Sequence, residues 1–201
     1  MSYGQDVRRC KRCKRVFCSD CADYCFNCSE VVKNEKAKER YEVLRVEAKV
    51  RISGFRLKIE LVPQPLWYRN LRNMLKEPGD WDIIRHRAYA DSGHRCAVCG
   101  DFGRLNCHEI WAYDDVHHVQ KLMGFTALCD LCTRVKHIGQ AEIMVSRGEL
   151  DMNSVIRHFR RVNDCSYQDF LEAQRLAFEV WEERSFCEWS QDWGEYAGGV
   201  K

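Results

Sequence analysis

Cys96-Ala97-Val98-Cys99-Gly100, Leu105-Asn106-Cys107-His108-Glu109-Ile110-Trp111 and Cys129-Asp130-Leu131-Cys132-Thr133-Arg134-Val135-Lys136-His137 are the three runs on which the reading of this chain turns. Two cysteines two residues apart let both thiolates converge on one ion, and two such pairs suit a closed tetrahedral zinc site of the structural kind. A zinc there staples a short hairpin carrying His108 to a helix carrying His137.

Cysteine usage carries the same message through the rest of the chain. Of 13 cysteines in 201 residues, ten fall into Cys-x-x-Cys pairs: Cys10/Cys13, Cys18/Cys21, Cys25/Cys28, Cys96/Cys99 and Cys129/Cys132. A secreted disulfide framework rarely repeats that spacing, whereas it suits two thiolates converging on one ion. The chain opens Met1-Ser2-Tyr3-Gly4 without an apolar leader, and no stretch is long enough to span a bilayer. The expectation is a zinc-loaded protein of the reducing, intracellular (cytoplasmic) compartment with no membrane partner.

The first pairs lie in a short basic segment. Six cysteines between Cys10 and Cys28 leave too few apolar side chains for a core, so metal must supply the folding energy. Six thiolates hold one zinc with two to spare, or two zincs with shared ligands, or a second site completed by a His or Asp from elsewhere. At least two structural zincs are expected overall. Arg8, Arg9, Lys11, Arg12, Lys14 and Arg15, with Phe17 and Tyr24 nearby, suit phosphate contact and base stacking. A zinc finger that binds protein would use similar residues. Residues 1–60 hold fifteen Lys/Arg against nine Asp/Glu, and residues 164–201 hold three against nine. One basic end suits a nucleic-acid partner, although small zinc modules are often basic in any case.

Pattern sets the remaining boundaries. Val46, Ala48, Val50 and Ile52 alternate with charged residues, as do Phe55, Leu57, Ile59 and Leu61 after Ser53-Gly54. Period two predicts a β-hairpin over 41–61. Pro63 and Pro65 then break the chain. A short helix is expected within Trp67–Leu75, and another after Asp80 with Trp81, Ile84 and Ala88 inward. Beyond the metal module, Asn153 or Ser154 starts a helix burying Val155, Ile156, Phe159 and Val162. Ser166 with Asp169 caps a longer one, with Phe170, Ala173, Ala177, Trp181 and Phe186 as its stripe. The division is 1–32 zinc finger, 33–62 connector and hairpin, 66–145 central zinc module with leading helices, and 146–201 C-terminal helices. His86, His94 and His158 read as solvated, His117-His118 as surface loop, and Cys165 and Cys187 as buried thiols.

The central run resembles the zinc-stapled HNH, or ββα-metal, endonuclease module. The likeness rests on Cys96-x-x-Cys99-Gly100, Cys107-His108-Glu109-Ile110-Trp111-x-Tyr113-Asp114-Asp115, Gly124-Phe125-x-Ala127-Leu128-Cys129 and Val135-Lys136-His137-Ile138-Gly139. From Trp81 to about Trp193 the chain is similar to small HNH-type proteins of bacteria and phages. The resemblance implies an α+β fold: a zinc-stabilised ββα-metal module with flanking helices, joined here to an N-terminal zinc finger and a β-hairpin.

It also implies a site. His108 falls at the general base, beside Glu109. Cys107 falls at a metal ligand, and Thr133 and His137 fall at two helical ligands one turn apart. Gly124 falls near an Asn that braces the base. Thr133 is a poor ligand and Gly124 has no side chain, so this chain departs from the pattern at both positions. The family's catalytic ion is a divalent metal: magnesium and manganese prefer oxygen, whereas Cys107 with His137 would select zinc or nickel. Asp114, Asp115, His117 or His118 could supply a missing ligand. Two functions follow: a metal-dependent endonuclease acting on nucleic acid, DNA before RNA; or a catalytically degenerate HNH-fold module engaging nucleic acid or a protein within a larger assembly.

Overall fold

The computed structural model describes residues 7–9, 11, 16–18, 26–77 and 79–198. The chain divides into two compact units, Met1–Arg51 and Ile52–Lys201. In the first, β1 (Val7–Arg9) and β2 (Val16–Cys18) pair antiparallel with Val7 opposite Cys18. Cys10, Cys13, Cys21, Cys25, Arg12, Lys14 and Arg15 lie outside the described residues, as do the side chains of Cys18, Cys28, Arg8 and Arg9. The expected N-terminal zinc finger therefore has its ligands outside the described residues.

The expected hairpin over 41–61 is not formed. Helix α1 runs Phe26–Ser53 without a break. Period two in 46–52 was the weaker signal: Glu, Lys, Arg, Leu and Ala fill more than half of α1, and all favour helix. Glu42 and Arg45 pair across one turn at 3.7 Å. From Phe55 the alternation is real, but the segment is a single extended run with no strand beside it among the described residues. Leu57 is buried, Phe55, Ile59 and Leu61 pack on the core, and Arg56, Lys58 and Glu60 are exposed. A side chain replaces the missing partner: the Leu57 amide donates to Asn163 Oδ1 and Asn163 Nδ2 donates to the Leu57 carbonyl, both at 2.9 Å. The Glu60 amide donates to the Lys136 carbonyl at 3.0 Å.

A 3-10 turn, Gln64–Leu66, follows Pro63, and the predicted helix within 67–75 shrinks to α2 (Leu71–Met74), capped by Asn70. Helix α3 (Asp80–Asp91) buries Ile84 and Ala88. Next comes an antiparallel hairpin, β3 (Leu105–Asp114) and β4 (Val119–Cys129), and β4 runs directly into α4 (Asp130–Lys136). Three helices follow: α5 (Ile138–Ser146), α6 (Met152–Asn163) and α7 (Tyr167–Ser185). A three-residue β5 (Ser190–Asp192) returns parallel to β4. The fold is thus α+β, with a small three-stranded sheet.

The hairpin has two different faces, and a bulge keeps them in phase. Ile110 stands opposite Gly124 but Trp111 stands opposite Leu122, so Met123 is an extra residue. Gly124 takes φ +143°, a value that favours glycine. One face sends Cys107, Trp111, Leu122 and Phe125 into a cluster with Leu71, Ile84, Trp81, Trp193 and Tyr196. The main core lies beneath α4 to α7, where Leu57, Leu128, Val135, Ile138, Val155, Phe159 and Phe170 are buried. Phe159 meets Phe55 and Phe170 edge to face, at centroid distances of 5.7 and 5.3 Å.

The C-terminal helices follow their expected pattern. Asp151 caps α6, two or three residues before the predicted start. Ser166 and Asp169 form a reciprocal capping box: the Asp169 amide donates to Ser166 Oγ at 3.1 Å, and the Ser166 amide donates to Asp169 Oδ2 at 2.9 Å. Two side chains differ from expectation. Phe186 is 84% exposed because α7 has already ended at Ser185, and His158 is only 4% exposed. Phe159→Ala should destabilise this unit by about 3–5 kcal/mol, and Ser166→Ala by about 1 kcal/mol. Urea midpoints check both, and equal losses for the two variants would contradict the assigned core.

Candidate metal and histidine centre

Each cysteine of the two central pairs is held by backbone. The Cys96 amide donates to the Asp101 carbonyl and the Gly100 amide to the Cys96 carbonyl, closing a tight knuckle with Gly100 at φ +78°. The Ala97 amide ties that knuckle to β4 at the Ala127 carbonyl, 2.9 Å away. Cys129 ends β4 and caps α4, its Sγ accepting from the Cys132 amide at 3.4 Å. The sulfurs of Cys96, Cys99, Cys129 and Cys132 all lie within 4.8 Å of one another. Cys99 and Cys129 are 3.6 Å apart, too far for a disulfide.

Four thiols this close cannot all ionise alone. Hydrogen bonds with Cys129 and Cys132 pull Cys96 down, whereas those with Cys129 and Cys96 push Cys132 up. Burial raises Cys99 to about 12. A divalent soft cation resolves this repulsion. The group could therefore hold a zinc ion, and it is the one metal-competent cluster among the described residues.

His108 and His137 meet close by. His108 lies on β3 opposite Thr126, and His137 sits at the joint between α4 and α5. Their Nε2 atoms are 3.1 Å apart, and the rings stand at a centroid distance of 5.0 Å. Burial is the main reason His108 is pushed down to about 3; His137 and Lys136 add to it, against a hydrogen bond to the Glu109 backbone. Burial likewise lowers His137, with Lys136 helping and Glu60 opposing. Lys136 Nζ and Glu60 Oε2 are paired at 2.6 Å beside them. Both imidazoles are thus held neutral, the form that accepts a proton or binds a cation.

The other expected members of this site are elsewhere. Successive strand residues point to opposite faces, so Cys107 packs into the aromatic cluster, away from His137. Burial and Glu109 push its thiol up to about 12, which keeps it from serving as a thiolate. Glu109 shares that face. Burial raises its pKa, and its carboxylate accepts from the Leu71 amide at 2.6 Å and from Trp111 Nε1 at 3.1 Å, which fastens α2 to the hairpin. Gly124 contributes the bulge and no brace. Thr133 donates to its own helix, from Oγ1 to the Cys129 carbonyl at 3.0 Å. Asp114 pairs with His117, and Asp115 with Arg184, so neither approaches the histidines. No described carboxylate or thiol joins His108 and His137 as a third ligand.

Asn106 and Asp130 were not foreseen. Asn106 Nδ2 donates to Asp130 Oδ1 at 2.7 Å and stands 3.5 Å from Thr133 Oγ1, bridging β3 to the start of α4. Its two-residue spacing from His108 on a strand was the available signal.

No family model matches the chain, and comparison with curated proteins and with solved structures returns no match either. No helix among the described residues is long and apolar enough to cross a membrane.

The neutral histidine implies a pH dependence. An unfolded histidine titrates near ~6.5, whereas folded His108 resists protonation down to about 3. Between those values the unfolded state binds more protons. Its contribution is therefore intact above the unfolded pKa and is lost as pH falls toward the folded one. Wild type should lose up to about 1.4 kcal/mol per pH unit relative to His108→Gln between pH 6 and pH 4. Urea titrations that run parallel for the two proteins across that window would contradict a buried neutral His108.

Proposed function

We propose that this chain is a zinc-stapled HNH-type protein that acts on nucleic acid, descended from a metal-dependent endonuclease and weakened in cleavage. The observation that carries the proposal is the approach of His108 to His137 across a β-hairpin that leads directly into a helix. That is where the sequence resemblance puts a general base and a metal ligand. In the active form of such a site, neutral His108 takes a proton from water attacking a phosphodiester. A divalent cation would stabilise the oxygens that gain charge. Among the described residues the two imidazoles have no third ligand, because Thr133 bonds to its own helix and Cys107 faces the other way. This donor set does not fit a catalytic ion, and no step is assigned to one.

Zinc at Cys96, Cys99, Cys129 and Cys132 is the structural part of the proposal. The sulfur geometry and the soft, four-thiol donor set support it. Purified protein should carry at least one zinc per chain, and Cys129→Ser should lose one equivalent by metal analysis and unfold the second unit. Metal content equal in the two proteins would remove the structural-zinc reading.

Cleavage is tested by plasmid nicking with Mg, Mn, Ni and Zn. Wild type should be inactive or nearly so. Thr133→His restores a ligand one turn before His137 and should gain nicking, and His108→Ala in that background should abolish it. Strong wild-type cleavage lost in His108→Ala would instead establish the active endonuclease. If wild type neither cuts nor binds DNA or RNA at low salt, a protein partner within a larger assembly replaces nucleic acid.

A further inference from the structure

His158 is a buried histidine with no role in the histidine pair, and it touches the thiol cluster directly. Its Nε2 lies 3.1 Å from Cys132 Sγ. Its Nδ1 lies 3.2 Å from an Arg161 guanidinium nitrogen. A guanidinium can only donate, so Nδ1 must accept and the ring proton belongs on Nε2. That proton points at the sulfur. Arg161 is fixed in turn by Asp101, with Nη2 to Oδ2 at 2.5 Å. Asp101 stands two residues after Cys99, in the knuckle loop.

The connections form a closed circuit. Cys132 belongs to α4, His158 and Arg161 to consecutive turns of α6, and Asp101 to the loop carrying the first cysteine pair. Helix α6 therefore ties both halves of the thiol cluster together through side chains alone. A zinc held by four thiolates carries a net charge of −2 in a partly buried setting. A directed N–H donor on one sulfur draws off part of that charge and disfavours protonation and loss of the ligand.

We propose that His158, oriented by Arg161 and Asp101, is a positioning residue for the zinc centre that sets how tightly the metal is held. The proposal rests on the zinc reading above, and the experiment separates the two. Full-length protein is loaded with zinc and challenged with a chromogenic chelator. The release step belonging to this centre is identified as the one missing from Cys129→Ser. His158→Leu should release that zinc about 10–100-fold more readily. His158→Gln, whose Nε2 can still donate to sulfur, should recover most of the loss. Arg161→Met removes the group that fixes the tautomer while leaving the core untouched, and should shift release in the same direction by less.

Cobalt substitution gives a readout that packing alone does not move. The sulfur-to-cobalt charge-transfer band should shift in His158→Leu and return toward wild type in His158→Gln. Release within about twofold of wild type in both His158→Leu and Arg161→Met, with an unshifted cobalt band, overturns the proposal. A general loss of stability in His158→Leu that Gln does not rescue overturns it too, since that is the signature of packing. If Cys129→Ser lacks no release step, the zinc reading itself has failed.

Discussion

Convergence of four sulfurs within 4.8 Å is the constraint from which the second unit is built. One pair sits in a knuckle after α3, and the other spans the junction of β4 and α4. Bringing them together fixes the hairpin against the helix that follows it. The main core then forms beneath, from α4 to α7, with Cys96 and Cys132 buried among its members. The sulfur cluster is thus continuous with the hydrophobic core, and neither would survive displacement of the other.

The same constraint builds the histidine pair. Three residues separate Cys129 from Thr133 and three more lead to His137, so the cluster sets the height of His137 above the sheet. His108 reaches it from the strand paired with β4. Burial keeps both rings neutral, while the Glu60–Lys136 pair places compensating charges at the edge. Glu60 is brought there by the extended segment that Asn163 clamps at Leu57. A surface ion pair is usually worth little, but here one partner is anchored by its own backbone amide to the carbonyl of the other.

Legibility in the sequence followed the strength of local signals. The two Cys-x-x-Cys pairs fixed the sulfur cluster because their spacing has few other uses. Ser166 with Asp169 marked the start of α7, and Val155 with Phe159 marked the face of α6. Alternation failed at 46–52, where helix-forming charged residues outweighed period two, yet held at 55–61, where the side-chain amide of Asn163 stood in for a strand. Cys107 and Glu109 were grouped with His108 by the resemblance of the Cys107-His108-Glu109 run to a motif. A strand sends neighbours to opposite faces, and the run alone does not show which of them faces His137. His158 looked solvated because Arg157, Arg160 and Arg161 surround it in sequence; its burial depends on a sulfur contributed 26 residues earlier.

Met123 gives the hairpin a parity that sequence length must respect. Ahead of the bulge, odd-numbered residues of β3 share a face with odd-numbered residues of β4; beyond it, Trp111 pairs with an even-numbered neighbour. The strand is therefore two segments in opposite phase, joined by one surplus residue and a glycine that tolerates the turn. Deleting Met123 would leave composition nearly unchanged but force one segment to rotate. Either Leu122 would swing out to water, or Phe125 and Ala127 would trade places with Thr126 and Leu128. The histidine centre would then face an aromatic wall. A single-residue frame within an otherwise regular ribbon decides which of its faces carries polar chemistry and which carries packing.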